Sequence, residues 1–252
     1  MTTHYCFTLL HGFMGFSDDL IPLVEAYKLP IQAMQIPGHE LPISPNMNLK
    51  KLTKDLKELT HQSWRKQILV GYSMGGRIAI ELYPLIKDQV AGMVLIGAHP
   101  GFQDSEEQVL RLSIDQKIAT KLMKEDFAEF LDEWYNALLF KGIKEAPAYS
   151  QLIRKKLEHD PLKLAQALLA FSSSQQKYHE DLWKNLEVPV LYISGTEDSK
   201  YHKVGDQLQE VSSYVKHHSI GTCSHAPHVQ NLSLVQASIA SWLSANFDLL
   251  PS

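Results

Sequence analysis

Residues 71–75 spell G-x-S-x-G, with the serine at position 73, and they lie between an apolar run and a helical pattern. The preceding residues 67–70 predict a buried strand, and the residues from 75 to 86 predict a helix. A serine in such a strand-to-helix turn is typical of a nucleophile elbow, which needs flanking glycines because side chains would clash there. The helix N-terminus beneath Ser73 also favours developing negative charge. The pattern therefore predicts a reactive serine at the carboxyl end of a strand.

A nucleophile elbow predicts two partners later in the chain, first an acid and then a histidine. Asp198 follows the apolar run 188–194, and His225 follows the strand candidate 214–220. Both side chains are therefore expected at the carboxyl ends of strands, where catalytic groups gather in open α/β sheets. We predict a catalytic triad of Ser73, His225 and Asp198.

Two alternatives to these partners remain open. His228 lies three residues beyond His225 and could be the base, although it falls at the approach to the last helix. Glu197 could orient the base in place of Asp198, although a position one residue earlier points the side chain in a different direction.

Two backbone N–H groups, those of Phe13 and Met74, are predicted to form an oxyanion hole. One donor of such a site is the N–H that follows the nucleophile, and the other comes from the loop after an early strand, here residues 11–15. Losing one such donor typically costs on the order of 3 kcal/mol, because it acts on charge that appears only in the transition state. The Phe13 ring can pack in the core at the same time, since only its N–H is needed.

Strand candidates alternate with amphipathic helical patterns, which predicts an α/β fold with a mostly parallel sheet flanked by helices. Strands are predicted at 5–10, 31–36, 67–72, 91–96, 188–194 and 215–220. Helices are predicted near 18–27, 49–62, 75–86, 200–211 and 230–247. Residues 1–96 and 188–252 are expected to form this core. Residues 97–187 are expected to form an inserted helical cap, with helices at 104–123, 125–139, 147–158 and 161–172.

The composition predicts an ordinary globular protein without a nucleic-acid or membrane partner. The 252 residues are 44% hydrophobic and 21% charged, which is enough to bury a full core. The net charge of −4 and the lack of a basic block argue against a nucleic-acid surface. The two cysteines make no disulfide framework, and we see neither a signal-peptide pattern nor a membrane-spanning run. We expect a cytoplasmic monomer or weak homo-oligomer with no cofactor and no metal.

Together these motifs resemble the α/β-hydrolase superfamily. Within it they resemble the 2-succinyl-6-hydroxy-2,4-cyclohexadiene-1-carboxylate synthases, which are lyases of menaquinone biosynthesis. The generic motifs are His11-Gly12-Phe13, Pro37-Gly38-His39, G-x-S-x-G and the Asp198/His225 pair. The more specific ones are G-Y-S-M-G-G-R at 71–77, His99-Pro100-Gly101, Trp134-Tyr135 and G-T-E-D-S-K at 195–200. The resemblance covers nearly the whole chain.

The resemblance implies that the triad abstracts a proton and that pyruvate is eliminated from 2-succinyl-5-enolpyruvyl-6-hydroxy-3-cyclohexene-1-carboxylate. This polycarboxylate would be bound by Tyr72, Arg77, Arg111, Trp134, Tyr135 and Lys156. Lys156 stands where the family has a third arginine, and lysine offers a point charge instead of a planar fork. A carboxylic-ester hydrolase acting through an acyl-serine intermediate is the alternative function, and a catalytically silent binding protein is the third.

Overall fold

The computed structural model describes residues 4–60 and 65–251, and its centre is a six-stranded parallel sheet. The strands are β1 Tyr5–Leu10, β2 Ile31–Met34, β3 Lys66–Tyr72, β4 Val90–Ile96, β5 Val190–Gly195 and β6 Val215–Ile220. They lie in the order β2-β1-β3-β4-β5-β6, and each neighbouring pair is parallel. The carboxyl ends of β1, β3, β5 and β6 therefore meet at one end of the sheet, where the predicted site residues follow.

Helices cover both faces of the sheet. The α-helices are α1 Leu49–Thr60, α2 Met74–Ile86, α3 Ser105–Lys124, α4 Phe127–Asn136, α5 Tyr149–Lys156, α6 Pro161–Ala170, α7 Glu180–Lys184, α8 Ser199–Val211, α9 Pro227–Gln230 and α10 Leu232–Phe247. Strand side chains alternate between the faces. In β4, Met93 and Leu95 belong to the core cluster shared with α1 and α2, whereas Val94 and Ile96 belong to the cluster shared with α10.

The segment between β4 and β5 carries helices α3 to α7 and has an apolar cluster of its own. Phe130, Leu131 and Leu164 from this segment pack there with Met14, which follows β1, and with Ala226, which follows β6. The helical segment is thus anchored on the loops at the carboxyl end of the sheet. Among the described residues, no helix combines the length and the apolar character that crossing a membrane would require.

The predicted helix at 18–27 is wrong. The structure has two 3₁₀ helices there, Ser17–Leu23 and Glu25–Tyr27. Pro22 lies inside the first of them, where it has no N–H to donate and disfavours the α-helical conformation of the residue before it.

Several other predicted elements are present with shifted ends. The strand predicted at 31–36 ends at Met34, and the strand predicted at 188–194 begins only at Val190, after Pro189, which has no N–H to donate.

Among the helices, the one predicted at 147–158 covers Tyr149–Lys156. The last helix begins at Leu232, because Asn231 has a non-helical conformation and caps the helix by accepting the Leu234 N–H. Helix α1 is described as far as Thr60, and the predicted helical residues 61–62 lie outside the described residues.

Candidate active site

Ser73 lies in the turn between β3 and α2 with φ 48° and ψ −106°, a conformation that residues with side chains rarely adopt. Strained backbone of this kind is concentrated at functional sites. The turn also brings Gly75 against the end of β1, where an added Cβ would lie 1.9 Å from the Leu10 carbonyl oxygen. Only glycine fits at this position, and the close approach places Ser73 beside the loop that follows β1.

The structure brings the three residues of the predicted triad together. His225 Nε2 lies 2.9 Å from Ser73 Oγ, and His225 Nδ1 lies 2.7 Å from Asp198 Oδ2. The side chains of His225 and Asp198 are both buried. An ionised carboxylate accepts hydrogen bonds, so it favours a proton on Nδ1 and leaves Nε2 to accept the Ser73 hydroxyl proton. The geometry is that of an activated serine.

Several contacts fix His225 and Asp198 in place. Asp198 caps the N-terminus of α8, where its Oδ1 accepts the Tyr201 N–H at 3.2 Å. The backbone N–H of His225 donates to the Leu139 carbonyl at 3.1 Å, which ties it to the segment between β4 and β5. Gly97, with φ +55°, makes room for the imidazole, because a Cβ there would lie 2.9 Å from the ring.

The two alternative partners make other contacts. The Glu197 carboxylate pairs with Lys141 Nζ at 2.6 Å on the surface. The His228 ring packs against Tyr72 with their centroids 4.3 Å apart, and its buried Nδ1 has no hydrogen-bond partner among the described residues. Burial lowers the pKa of His228 to about 4. Neither side chain hydrogen-bonds to Ser73 or His225 within the described chain.

Two histidines hold the loop that contains Phe13. Met14, the next residue, has φ 57°; its N–H donates to His39 Nε2 at 3.1 Å, and its carbonyl lies 3.0 Å from His159 Nε2. Burial lowers the pKa of His159 to about 4 and that of His39 well below its usual range, so both rings are neutral near pH 7. Phe13 and Met74 line the cavity with Ser73, and neither N–H donates to another described group. Both donors are free to bind a ligand.

A cavity of about 620 Å³ opens over Ser73 and His225. Its wall comes from the loop after β1, the start of α2, the helical segment and the α9 region. It includes each of the residues predicted to bind substrate, which are Tyr72, Arg77, Arg111, Trp134, Tyr135 and Lys156. Residues predicted from distant motifs therefore line one chamber.

Arg77 and Arg111, with Asp115, form what we call the arginine cluster of this wall. Arg77 is buried; its Nη1 donates to Gln176 Oε1 at 2.8 Å, and its Nη2 donates to the Phe171 carbonyl at 2.9 Å. Both acceptors are uncharged. Burial lowers the pKa of Arg77 to about 10, so the guanidinium is still charged near pH 7.

Arg111 pairs with one carboxylate and keeps a free donor. Its Nη2 lies 2.7 Å from Asp115 Oδ1, and its buried Nε has no hydrogen-bond partner among the described residues. Asp115 is fully buried and also accepts the Ser172 hydroxyl at 2.6 Å. The arginine cluster thus sets two positive charges against one carboxylate and retains unused N–H groups.

The second charged group of the wall, the lysine–aspartate cluster, consists of Asp18, Asp19, Lys155 and Lys156. Lys156 Nζ lies 2.9 Å from Asp19 Oδ2, and Lys155 Nζ contacts both Asp19, at 2.8 Å, and Asp18. Burial alone would raise the pKa of Asp19, but Lys156 and Lys155 outweigh burial and hold it far below its usual value. Burial lowers the pKa of Lys156, and Asp19 opposes that shift. The predicted cation at position 156 is therefore already paired.

Sequence reasoning missed Asp19, Gln176 and Tyr201, which all help to shape the site. Gln176 lies 99 residues from Arg77, and no local pattern predicts their contact. Tyr201 could have been predicted from the sequence, because it lies in the first turn of the helix that Asp198 caps.

Comparisons with known proteins agree with this architecture. Residues 9–232 match the family described as alpha/beta hydrolase fold. The 2-succinyl-6-hydroxy-2,4-cyclohexadiene-1-carboxylate synthase of Yersinia pestis bv. Antiqua (strain Nepal516) is 26% identical, with 96% of this chain and 89% of that protein covered. The chloroplastic protein PHYLLO of Arabidopsis thaliana is also 26% identical over 88% of this chain, which spans only 14% of that protein.

Solved structures show the same fold. MenH from S. aureus superposes with a TM-score of 0.89 at 23% identity, covering 98% of this chain and 96% of that one. A malate-bound thermophilic esterase from Thermogutta terrifontis superposes with a TM-score of 0.79 at 20% identity, covering 96% and 90%. The predicted fold class is confirmed, and the chain belongs to the alpha/beta hydrolase fold family.

Proposed function

We propose that this protein is a carbon–oxygen lyase of menaquinone biosynthesis. It would eliminate pyruvate from 2-succinyl-5-enolpyruvyl-6-hydroxy-3-cyclohexene-1-carboxylate and give 2-succinyl-6-hydroxy-2,4-cyclohexadiene-1-carboxylate. The observation that carries the proposal is the arginine cluster, which places two guanidinium groups in the wall of the cavity that contains Ser73. A polycarboxylate uses both of them, whereas a neutral ester uses neither. The Y. pestis relative, named for this product, adds support.

In the proposed mechanism the triad acts as a base. His225 Nε2, 2.9 Å from Ser73 Oγ, takes the serine proton as the serine oxygen removes a proton from the substrate ring. The released electron pair forms a new ring double bond, the double bond already in the ring shifts by one position, and the C–O bond to the enolpyruvyl group breaks. The proton held by His225 passes to the departing enolate to give pyruvate. Asp198 stabilises the imidazolium, and the Phe13 and Met74 N–H groups stabilise negative charge that develops on a substrate oxygen.

The remaining wall residues would orient the substrate. Arg77 and Arg111 bind carboxylates through charge-assisted hydrogen bonds, and Tyr72, Trp134 and Tyr135 contact the ring and side chain. For Lys156 we propose a smaller contribution, because Asp19 offsets its charge. Residues 97–187 would form a cap that excludes water from the cavity, since they supply Arg111, Trp134, Tyr135 and Lys156 to its wall.

A carboxylic-ester hydrolase is the second candidate. The hydrogen bond between Ser73 and His225 is equally suited to nucleophilic attack on an ester carbonyl, which would form an acyl-serine intermediate. The two candidates differ in what the arginine cluster does, because only the lyase needs it for a substrate anion.

The deciding experiment compares two reactions of the purified protein. It is incubated with the succinyl-enolpyruvyl cyclohexene substrate, with pyruvate release measured, and with p-nitrophenyl acetate, with p-nitrophenolate measured. We expect rapid pyruvate release and slow ester cleavage by the wild type, and loss of the former in Ser73→Ala. Efficient ester cleavage without pyruvate release would establish the hydrolase instead.

A further inference from the structure

Tyr201 lies where the triad meets the arginine cluster. Its backbone N–H donates to Asp198 Oδ1, and its ring centroid lies 4.5 Å from that of His225. It lines the same cavity as Ser73 and Arg77. The Asp198 carboxylate binds the backbone N–H of Tyr201 and also the His225 ring. The same side chain therefore helps to position both residues.

The hydroxyl of Tyr201 is available to a ligand. It makes no hydrogen bond to any group in the described parts of the chain, whereas the hydroxyl of the fully buried Tyr192 donates to the Ala98 carbonyl at 2.9 Å. A polar group that leaves bulk water without gaining a partner costs free energy, so such groups are found where water or a ligand completes them. Here the cavity supplies the place for that partner.

The charges around Tyr201 indicate what the partner is. Burial raises the pKa of its hydroxyl, Arg111 and Arg77 oppose this shift, and Asp198 and Asp115 add to it more weakly. The hydroxyl is therefore protonated near pH 7 and lies within the field of two cations. Tyr72 and Tyr135 also line the cavity, but the charges that act on their hydroxyls are carboxylates, whereas Tyr201 is influenced by two guanidinium groups as well as by Asp198 and Asp115. Tyr201 is in this respect the cavity tyrosine best placed to donate to an anion.

We propose that the Tyr201 hydroxyl donates a hydrogen bond to a substrate carboxylate held by Arg77 and Arg111, so that the three side chains form one carboxylate subsite. The inference rests on the proposed function, and it adds a residue that determines specificity. The uncharged hydroxyl adds a directional hydrogen bond without adding positive charge. It therefore helps the subsite to favour a planar carboxylate over a neutral ester or amide.

The test measures binding separately from turnover. In the Ser73→Ala background, calorimetry gives the Kd of the intact succinyl-enolpyruvyl cyclohexene substrate with no second change, with Tyr201→Phe, with Arg77→Ala and with Tyr192→Phe. Tyr201→Phe removes one oxygen atom and keeps the ring against His225. We expect it to raise the Kd on the order of tenfold to a hundredfold, as for a lost hydrogen bond to a charged group. Tyr192→Phe should lower the melting temperature and leave the Kd unchanged.

The variants separate failure of this inference from failure of the proposed function. If Arg77→Ala raises the Kd and Tyr201→Phe does not, the Tyr201 role is overturned while the carboxylate site stands. If the Ser73→Ala protein does not bind the substrate at all, both are overturned. In the wild-type background Tyr201→Phe should raise KM with little change in kcat. A fall in kcat at unchanged KM would mean that Tyr201 acts only by orienting His225, which also overturns the subsite.

Discussion

The two charged clusters of the cavity wall contain similar residue types but differ in how their charges are used. In the lysine–aspartate cluster, Lys155 and Lys156 face Asp18 and Asp19, so the positive charges are matched within the protein. In the arginine cluster, the hydrogen bonds of Arg77 to described residues all go to uncharged acceptors, and Asp115 is the one described carboxylate paired with Arg111. The charges of the lysine–aspartate cluster are thus matched, whereas the arginine cluster retains positive charge and unused hydrogen-bond donors.

From this difference we predict a structural role for the lysine–aspartate cluster and a binding role for the arginine cluster. The pairs of Lys155 and Lys156 with Asp18 and Asp19 join helix α5 to the 3₁₀ turn after β1, and they stabilise that junction. A buried guanidinium without a matching protein anion is costly unless a ligand completes it. A cationic residue in a cavity wall is therefore good evidence for an anionic substrate only when no protein carboxylate already pairs with it.

The largest expected effects test whether the base of the reaction is His225, which contacts Ser73, or His228, which packs against Tyr72. Ser73→Ala and His225→Ala should each lower kcat by at least about 10³-fold, and the double variant should be little worse, because groups that act as one unit are not additive. His228→Ala should have a small effect by comparison. Steady-state kinetics of pyruvate release provides the measurement. A severe His228→Ala together with a mild His225→Ala would reverse the assignment of the base.

The next effect tests the binding role of the arginine cluster. Arg77→Ala should lower kcat/KM for the anionic substrate by on the order of ten- to a hundredfold, since it removes charge-assisted hydrogen bonds. Hydrolysis of a neutral ester should barely change, and Arg77→Lys should recover only part of the loss, because an ammonium lacks the planar fork. Equal losses on charged and neutral substrates, with a lower melting temperature, would mean that Arg77 only supports α2.

A substitution in the lysine–aspartate cluster is expected to lower the free energy of unfolding more than it lowers the activity. Breaking a buried ion pair costs about 3–5 kcal/mol. Since Lys155 still pairs with Asp19, we expect Lys156→Met to lower the free energy of unfolding by about 1–2 kcal/mol. Urea denaturation measures this, with the exposed pair of Lys87 and Glu187 as control, where Lys87→Met should cost no more than about 1 kcal/mol. A loss of kcat/KM equal to that of Arg77→Ala, without loss of stability, would contradict the comparison.

The effect that is smallest near neutral pH is a pH dependence of stability from His159, on which Lys156, Asp19 and Glu40 act electrostatically. Burial lowers its pKa from 6.5 to about 4, so between these values the unfolded chain binds a proton that the folded protein does not. Stability should therefore fall as the pH drops from 6.5 to 4. In urea denaturation at several pH values, His159→Gln should show a shallower fall than the wild type. An unchanged slope would remove His159 from this effect.

Local patterns predicted most of the fold and the main contacts of the site. The G-x-S-x-G turn, the strand before it and the helix after it appear at the predicted positions, and Asp198 and His225 lie within hydrogen-bond distance of their expected neighbours. These features follow from alternation within strands and from the steric demands of one tight turn. The predicted helix at 18–27 failed because the prediction followed the apolar spacing and gave no weight to Pro22, which disfavours a regular α-helix.

The sequence by itself determined the alternation of strands and helices, the tight turn at Ser73, and the positions of Asp198 and His225 directly after strands, because each depends on residues that are close along the chain. Only the tertiary structure decided that Lys156 is neutralised by Asp19, 137 residues away, and that Arg77 meets Gln176 instead of a carboxylate. Such contacts depend on how the helical segment packs against the sheet. The effective charge of a cation is set by the partners that this packing brings to it, and no local pattern specifies them.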